Sequence, residues 1–281
     1  MNEIHLKNWS EFPKAIQKIQ KKYAQVFIGN IPHSNYIYFR GQANSDWALQ
    51  TTLERTTNEE WSIRSYEQLA LRLAPEIETL TDKNWGLPKV WHIDKIFEEN
   101  KSKAIPYIPF KEFWIYLRHH GLPSPLLDWT LSPYIAAFFA FCNQSDYKSV
   151  AIFAYIETTN RIKGGWVGGP QITVIGKNFK THKRHFLQQG CYTICSKYRE
   201  ASEFILDDHI FCPHESVFED EHFSNSMGQD ILYRITLPAS ERASVLEYLN
   251  QFNINDFSLT QTEDALMKTL SFREIEINGP R

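Results

Sequence analysis

Between Ser10 and Tyr23 the apolar residues Phe12, Ile16, Ile19 and Tyr23 recur at helical spacing, with Ser10 placed to cap and Glu11 in the first turn. The pattern then shifts to period two. Tyr36 to Arg40 reads as a strand closed by Gly41, and Gln42 to Asp46 as a polar turn leading to Trp47 and Leu49. Helical spacing returns over Ile63–Ala74. The stretch 79–109, broken by Gly86, Pro88, Pro106 and Pro109, predicts an irregular insertion. Phe110 to His119 is helical in pattern, with Gly121 where a C-terminal cap falls, and Leu122 to Thr130 reads as a turn-rich connection. Ser132 and Pro133, a cap and a first-turn proline, open a helix over Tyr134–Cys142 that is apolar on every side and therefore buried.

Later strands are predicted at Val150–Ile156, Gln171–Ile175, Cys191–Ser196 and Ile231–Leu237, with Gly164, Gly165, Gly168 and Gly169 marking a loop between the first two. Helices over Ser240–Leu249 and Thr262–Leu270 place a helical extension at 239–281. Helices and strands mix without regular alternation, and no repeat or low-complexity run interrupts them. The pattern predicts an α+β fold with mixed or antiparallel sheets and flanking helices.

Length and composition change this picture little. At 281 residues the chain is long enough to bury a core without staples, and 42% hydrophobic with 22% charged residues is an ordinary globular balance. The aromatic content, 14%, predicts an aromatic core and aromatic walls to a pocket. A net charge of −3 gives no basic excess, so nucleic-acid binding is not expected. The basic residues Lys177, Lys180, His182, Lys183, Arg184 and His185 read as a solvated loop. The N-terminal stretch has no apolar signal region and nothing approaches the ~20 apolar residues of a membrane span. A cytoplasmic location with reduced thiols is expected.

Two places carry candidate chemistry. Arg40 ends a strand beside a glycine, where a guanidinium either grips a carboxylate or phosphate with two hydrogen bonds or is tied internally, for instance to Asp128. Asp128 sits just before the helix opened by Ser132. It either caps that helix or belongs to a site at the helix's positive end. His119 and His120 could supply a base or a ligand, but neighbouring positions point to different sides of a helix and do not converge on one ion. Cys191, Cys195, Cys212 and His214 raise zinc. However, four residues of strand between the first two span ~13 Å, whereas ligands must lie within about 2.3 Å of the metal. The cysteines read as small apolar fillers, and no metal is expected.

The residues also carry a resemblance. Phe39-Arg40-Gly41-Gln42 with Trp47 and Leu49, and then His119 to Thr130 with Ser132-Pro133 and Ala136 to Ala140, resemble the two leading motif blocks of the FRG domain family. Arg184, Gln188-Gln189-Gly190 and Tyr192 resemble a third block, and Val245–Ile254 with Ser258-Leu259 a closing one. The resemblance implies a single FRG-type domain over 1–281. Two positions depart from it. Arg118 or His119 stands where the family has glutamine, and Ser124-Pro125 replaces a threonine-arginine pair, so a second arginine is not expected near the site.

A more distant resemblance links Phe39-Arg40-Gly41 and Asp128 to Pro133 to arginine-specific-type ADP-ribosyltransferases, which implies a split β core. NAD is then the implied substrate, with no permanently bound cofactor. Arg40 takes the pyrophosphate, Thr130 supports the ribose side, Trp129 stacks on nicotinamide, and Gln189 stands where that family has its glutamate. Phe39, Gly41, Gln42, His120 and Asp128 complete the implied ligand-binding set. Without the glutamate, Glu157, Glu200 or Glu203 must serve, or the chain binds without catalysis. The implied function is an ADP-ribosyltransferase-like effector of toxin or phage-defence type in a bacterial setting, with a nucleotide ligand and a protein target or neutralising partner. The alternatives are a non-catalytic sensor module and, last, a metal-dependent hydrolase or nuclease built on His119, His120 and Asp128.

Overall fold

The structure is a computed structural model. It describes residues 1–281 apart from 24–25, 29–30, 34–35, 104, 145, 158–168, 177–178, 180, 203–207, 219–229 and 280–281, and only the backbone of 26–28 and 31–33. Gly164, Gly165, Gly168, Lys177, Lys180 and Glu203 therefore lie outside the described residues, wholly or in their side chains.

The fold is α+β, built on an open mixed sheet. Its strands are β1 (Asn2–His5), β4 (Ile37–Gln42), β5 (Leu127–Thr130), β6 (Ser149–Ile156), β7 (Gln171–Ile175), β8 (Gly190–Arg199), β9 (Asp208–Phe211) and β10 (Ile231–Pro238). They run in the order β1-β10-β6-β4-β5-β8-β7, with β9 also on β8. Among the described residues only β1 and β10 are parallel, and the other pairs are antiparallel. A separate hairpin joins β2 (Val26–Ile28) and β3 (Ile31–His33).

Strand alternation sorts the side chains onto two faces. On one face Phe39, Ile152, Ala154, Ile156 and Ile235 pack under α1 (Phe12–Tyr23), α6 (Pro133–Phe141) and α8 (Arg242–Gln251). Further along, Tyr192 and Ile194 of β8 pack against α3 (Ile63–Thr81), α4 (Ile93–Glu99) and α5 (Lys111–His119). The opposite face gathers Tyr38, Leu127, Trp129, Phe153, Tyr155, Cys191 and Cys195, with Cys212, Val217 and Phe218 packed against them. Short helices α2 (Thr52–Thr56) and α7 (Lys183–Leu187) fill the connections. After α8, α9 (Asp256–Thr260) and α10 (Glu263–Ser271) lead into a π-helical turn at Phe272–Ile277.

Several expectations change. Residues 127–130, read as part of a turn-rich connection, form β5, a strand too short to show alternation beside Pro123 and Pro125. The helix expected to end at Ala74 continues through Pro75 to Thr81. The stretch read as irregular holds the end of α3 and all of α4. Part of the basic stretch read as a solvated loop is α7, where His185 is buried. The helix at 133–141 is buried except at Tyr134 and Phe139, and Phe139 is exposed. Gly121 has φ 91° at the end of α5, the left-handed position a C-cap glycine takes.

Candidate functional site

The sheet splits where the first and second motifs meet. β4 pairs with β6 over six residues, but with β5 only through Phe39 and Thr130. Continued pairing would match Arg40 to Trp129 and Gly41 to Asp128. Those pairs do not form, so β4 and β5 open into a fork. A carbonyl released from a ladder needs another donor, and Arg40 supplies it: its Nη1 donates to the Asp128 main-chain oxygen at 2.9 Å.

α6 leaves β5 at once and crosses back over β4. Ser132 caps it, its side chain accepting from the Ile135 amide, with Pro133 in the first turn. Gly41 permits the crossing: a Cβ there would stand 1.9 Å from the Ala136 carbonyl oxygen and 2.6 Å from the Ala140 nitrogen. The glycine thus serves an approach of backbone to backbone.

A cavity of about 320 Å³ occupies the fork, lined by Arg40, Gly41, Asp128, Thr130, Phe139, Cys142 and Gln188 among others. The part of α6 that reaches it is the C-terminal end, not the Ser132 end. The helix's free amides therefore do not face the cavity, and positive charge there comes from Arg40. A second cavity of about 200 Å³ adjoins it, walled by Arg118, His119, Arg184, His185 and Tyr192. Asp128, Trp129 and Gln188 line both. The two form one cleft between the α6 and α5 halves of the helical layer, with β5 in its floor.

The charges in this cleft are arranged unequally. The Asp128 carboxylate is paired with Arg118, so the arginine not expected from the motif is present, drawn from α5. Arg40 forms no ion pair among the described residues, and its Nε is buried without a partner. Burial pulls its pKa down to about 10 despite the attraction of Asp128. At neutral pH it stays charged. His119 Nε2 shares a 2.8 Å hydrogen bond with the Tyr192 hydroxyl, which also meets His185 Nδ1 at 3.2 Å. Burial lowers His119 to about 4, opposed by Asp128, so it is a neutral imidazole at pH 7. Beneath the sheet, burial and the charge of Arg40 push His214 down to about 3.

The expected site residues divide. Phe39, Arg40, Gly41, Asp128, Trp129 and Thr130 all line the fork. Trp129 is only 4% exposed, however, and its indole donates to Thr193 Oγ1 at 2.8 Å and packs beside Tyr155. Its ring is a core element, not a free stacking platform. Thr130 donates to the Gln188 carbonyl at 2.7 Å and accepts from the Ser132 amide, clasping β5 to the turn before β8. Gln42 is buried off the cleft, donating to Ala48. His120 is exposed and packs its ring against Tyr116.

Gln189 has φ 47° and is exposed outside both cavities, whereas Gln188 lines both. Asp128 is the carboxylate in the cleft. Glu157 and Glu200 line neither cavity, and Glu200 pairs with Lys103. His119, His120 and Asp128 do not converge, and the described residues hold no group of three His, Cys, Asp or Glu placed for a metal ion. Cys195 and Cys212, read as independent fillers, bring their sulfurs to 3.4 Å.

Sequence reasoning missed Phe139, Gln188 and Arg118 as cleft residues. Phe139 carried a usable signal, since a large ring on an all-apolar helix has one side left over. Arg118 carried none, because its role depends on where α5 ends relative to β5. No helix among the described residues is long and apolar enough to cross a membrane. No curated protein and no solved structure matches the chain. The third and closing blocks lie beyond the segment that a family model covers, but β4, α5, β5 and α6 fall inside it. Residues 35–149 match the FRG domain, and over this segment the chain carries that domain.

Proposed function

We propose that the chain binds an anionic nucleotide, with NAD as the ligand, in the cleft over β5, and acts as an ADP-ribosyltransferase-like effector of toxin or phage-defence type. One observation carries this reading. Arg40 keeps its charge in a half-buried fork and, among the described residues, has no carboxylate partner and bonds only to a main-chain carbonyl. A guanidinium so placed gains from a ligand oxyanion what an internal ion pair would otherwise supply, and it can meet a phosphate with two parallel bonds. Phe139 adds an exposed ring to the same cavity, and Gln188, whose amide nitrogen donates to the Leu259 carbonyl at 3.2 Å, adds its amide oxygen for a sugar hydroxyl.

In the proposed reaction the glycosidic bond from ribose to nicotinamide breaks. The electron pair leaves with nicotinamide, and an acceptor nucleophile on a protein target closes on the ribosyl cation. The residue available to stabilise that cation is Asp128, at a position different from the glutamate the resemblance implied. The test is calorimetric titration with NAD, alongside chromatographic measurement of nicotinamide release. Wild type should bind and Arg40→Ala should not, with the fold intact by circular dichroism. Absence of binding at millimolar NAD in the wild type overturns the reading.

A second reading, a sensor that binds without turnover, is favoured by the pairing of the Asp128 carboxylate with Arg118. A neutralised carboxylate offers a cation less. Binding of NAD with no nicotinamide release over hours selects the sensor.

A further inference from the structure

Among the described residues the buried and half-buried arginines are nearly all satisfied internally. Arg64 pairs with Asp94 and Glu98, Arg118 with Asp128, Arg199 with Glu60, Arg234 with Glu3 and Arg242 with Glu276. Arg273 donates twice to the Asn250 side chain. Two differ. Among the described residues Arg40 meets only a main-chain carbonyl, and the guanidinium of Arg184 has no hydrogen-bond or ion-pair partner. Chance would scatter two such residues over the surface. Here they line adjoining cavities that share Asp128, Trp129 and Gln188.

Arg184 is also held in place. It sits in α7, whose neighbour His185 is 2% exposed and bonded to Tyr192, and Gly190 lets β8 pass close to that imidazole. A short helix anchored through His185 presents this charge, so the backbone needs little further ordering when an anion binds there. The cavity wall beside it holds the Tyr192 hydroxyl and the His119 ring, bonded to each other at 2.8 Å.

We infer that the cavity between α5 and α7 is a second anion subsite centred on Arg184, and that the ligand of the cleft carries two anionic groups, one for Arg40 and one for Arg184, astride Asp128 and Gln188. For the ligand's identity this rests on the nucleotide reading above, and it narrows the class to dinucleotides bearing a further phosphate beyond the pyrophosphate that Arg40 takes. The subsite itself stands apart from that reading.

Two measurements test it. The first follows the imidazole signals of His119 and His185 by nuclear magnetic resonance during titration with inorganic phosphate. The signals should move in wild type and in Arg40→Gln, and the apparent affinity should fall at least tenfold in Arg184→Gln, with partial recovery in Arg184→Lys. Signals that stay still, or that move equally in Arg184→Gln, overturn the subsite even if NAD binds. The second compares NADP, which carries one more phosphate, with NAD by calorimetry. Wild type should prefer NADP at least tenfold and Arg184→Gln should lose that preference. Equal affinities in wild type overturn the two-anion class. If neither dinucleotide binds while phosphate still moves the imidazoles through Arg184, the nucleotide reading fails and the subsite holds.

Discussion

Arg40 and Asp128 meet through the main chain: the guanidinium donates to the Asp128 carbonyl oxygen at 2.9 Å, while the Asp128 carboxylate belongs to Arg118. Two arginines thus read one residue, the first its backbone and the second its charge. The first contact bridges the gap where β4 and β5 part, and Arg40 lines the fork there. The second keeps the carboxylate from collapsing onto Arg40, which would fill the fork with an internal ion pair.

Replacement of Arg40 should therefore separate binding from stability. Arg40→Ala removes one hydrogen bond, a loss of about 1 kcal/mol, offset in part by relief of a buried charge. Its urea midpoint should stay close to wild type while nucleotide binding disappears. Arg40→Lys retains charge without the fork-shaped donor set and should bind at least tenfold more weakly than wild type. A large loss of stability in Arg40→Ala, traced by denaturant titration, would show that the guanidinium is chiefly a strut.

The Arg118 and Asp128 pair should couple modestly. The Asp128 side chain is 41% exposed, so solvent screens the attraction. A double-mutant cycle with Arg118→Gln and Asp128→Asn should give an interaction energy of about 1 kcal/mol or less. Function should respond more than stability. Freed from Arg118, the carboxylate swings toward Arg40, and Arg118→Gln should weaken NAD binding several-fold. Unchanged or tighter binding would mean that the two arginines do not divide the residue as described.

Which of these relationships the sequence made legible follows from their range. The buried helix at 133–141, its Ser132 cap and the strand before Gly41 rest on local chemistry and were readable. The meeting of Arg40 with residues 128–130 is long-range and follows from the family resemblance, not from local chemistry. β5 was not readable, since its four residues gain their conformation from β8, with which they pair from Leu127–Thr193 to Thr130–Gly190. Arg184 looked like part of a solvated stretch because the burial of His185 against Tyr192 is a tertiary contact. The resemblance implies Gln189, whereas Gln188 lines the cleft; one residue of register decides which of the two does, and the sequence does not show it.

Gly41 offers a test of the α6 crossing. Its missing Cβ would collide with main-chain atoms of Ala136 and Ala140, and backbone inside a packed helix has no rotamer through which to yield. Gly41→Ala should destabilise by about 3 kcal/mol or more and lower Tm by many degrees. The same change at Gly176, where nothing stands within 4 Å of the added carbon, should be nearly silent. Similar melting of the two variants would show that α6 can slide over β4.

Glu67 gives the fold a predictable pH dependence. It is fully buried among α3, α4 and α5 side chains and accepts a hydrogen bond from the Phe110 amide at 3.2 Å. Burial raises its pKa from 4.5 to about 7, against the lowering effect of the neighbouring Trp114 indole and the Phe110 amide. A carboxyl whose folded pKa lies above its unfolded value favours folding in its protonated form. Its contribution is complete below about pH 4.5, declines as pH rises, and is gone above about pH 7. The shift corresponds to about 3 kcal/mol between those limits. Glu67→Gln, neutral at every pH, should match wild type near pH 5 and exceed it by about 2–3 kcal/mol at pH 8, read from urea unfolding at the two pH values. Parallel changes in the two proteins would show that the carboxylate finds solvent or a cation when it ionises, and that α3 and α5 part to let it do so.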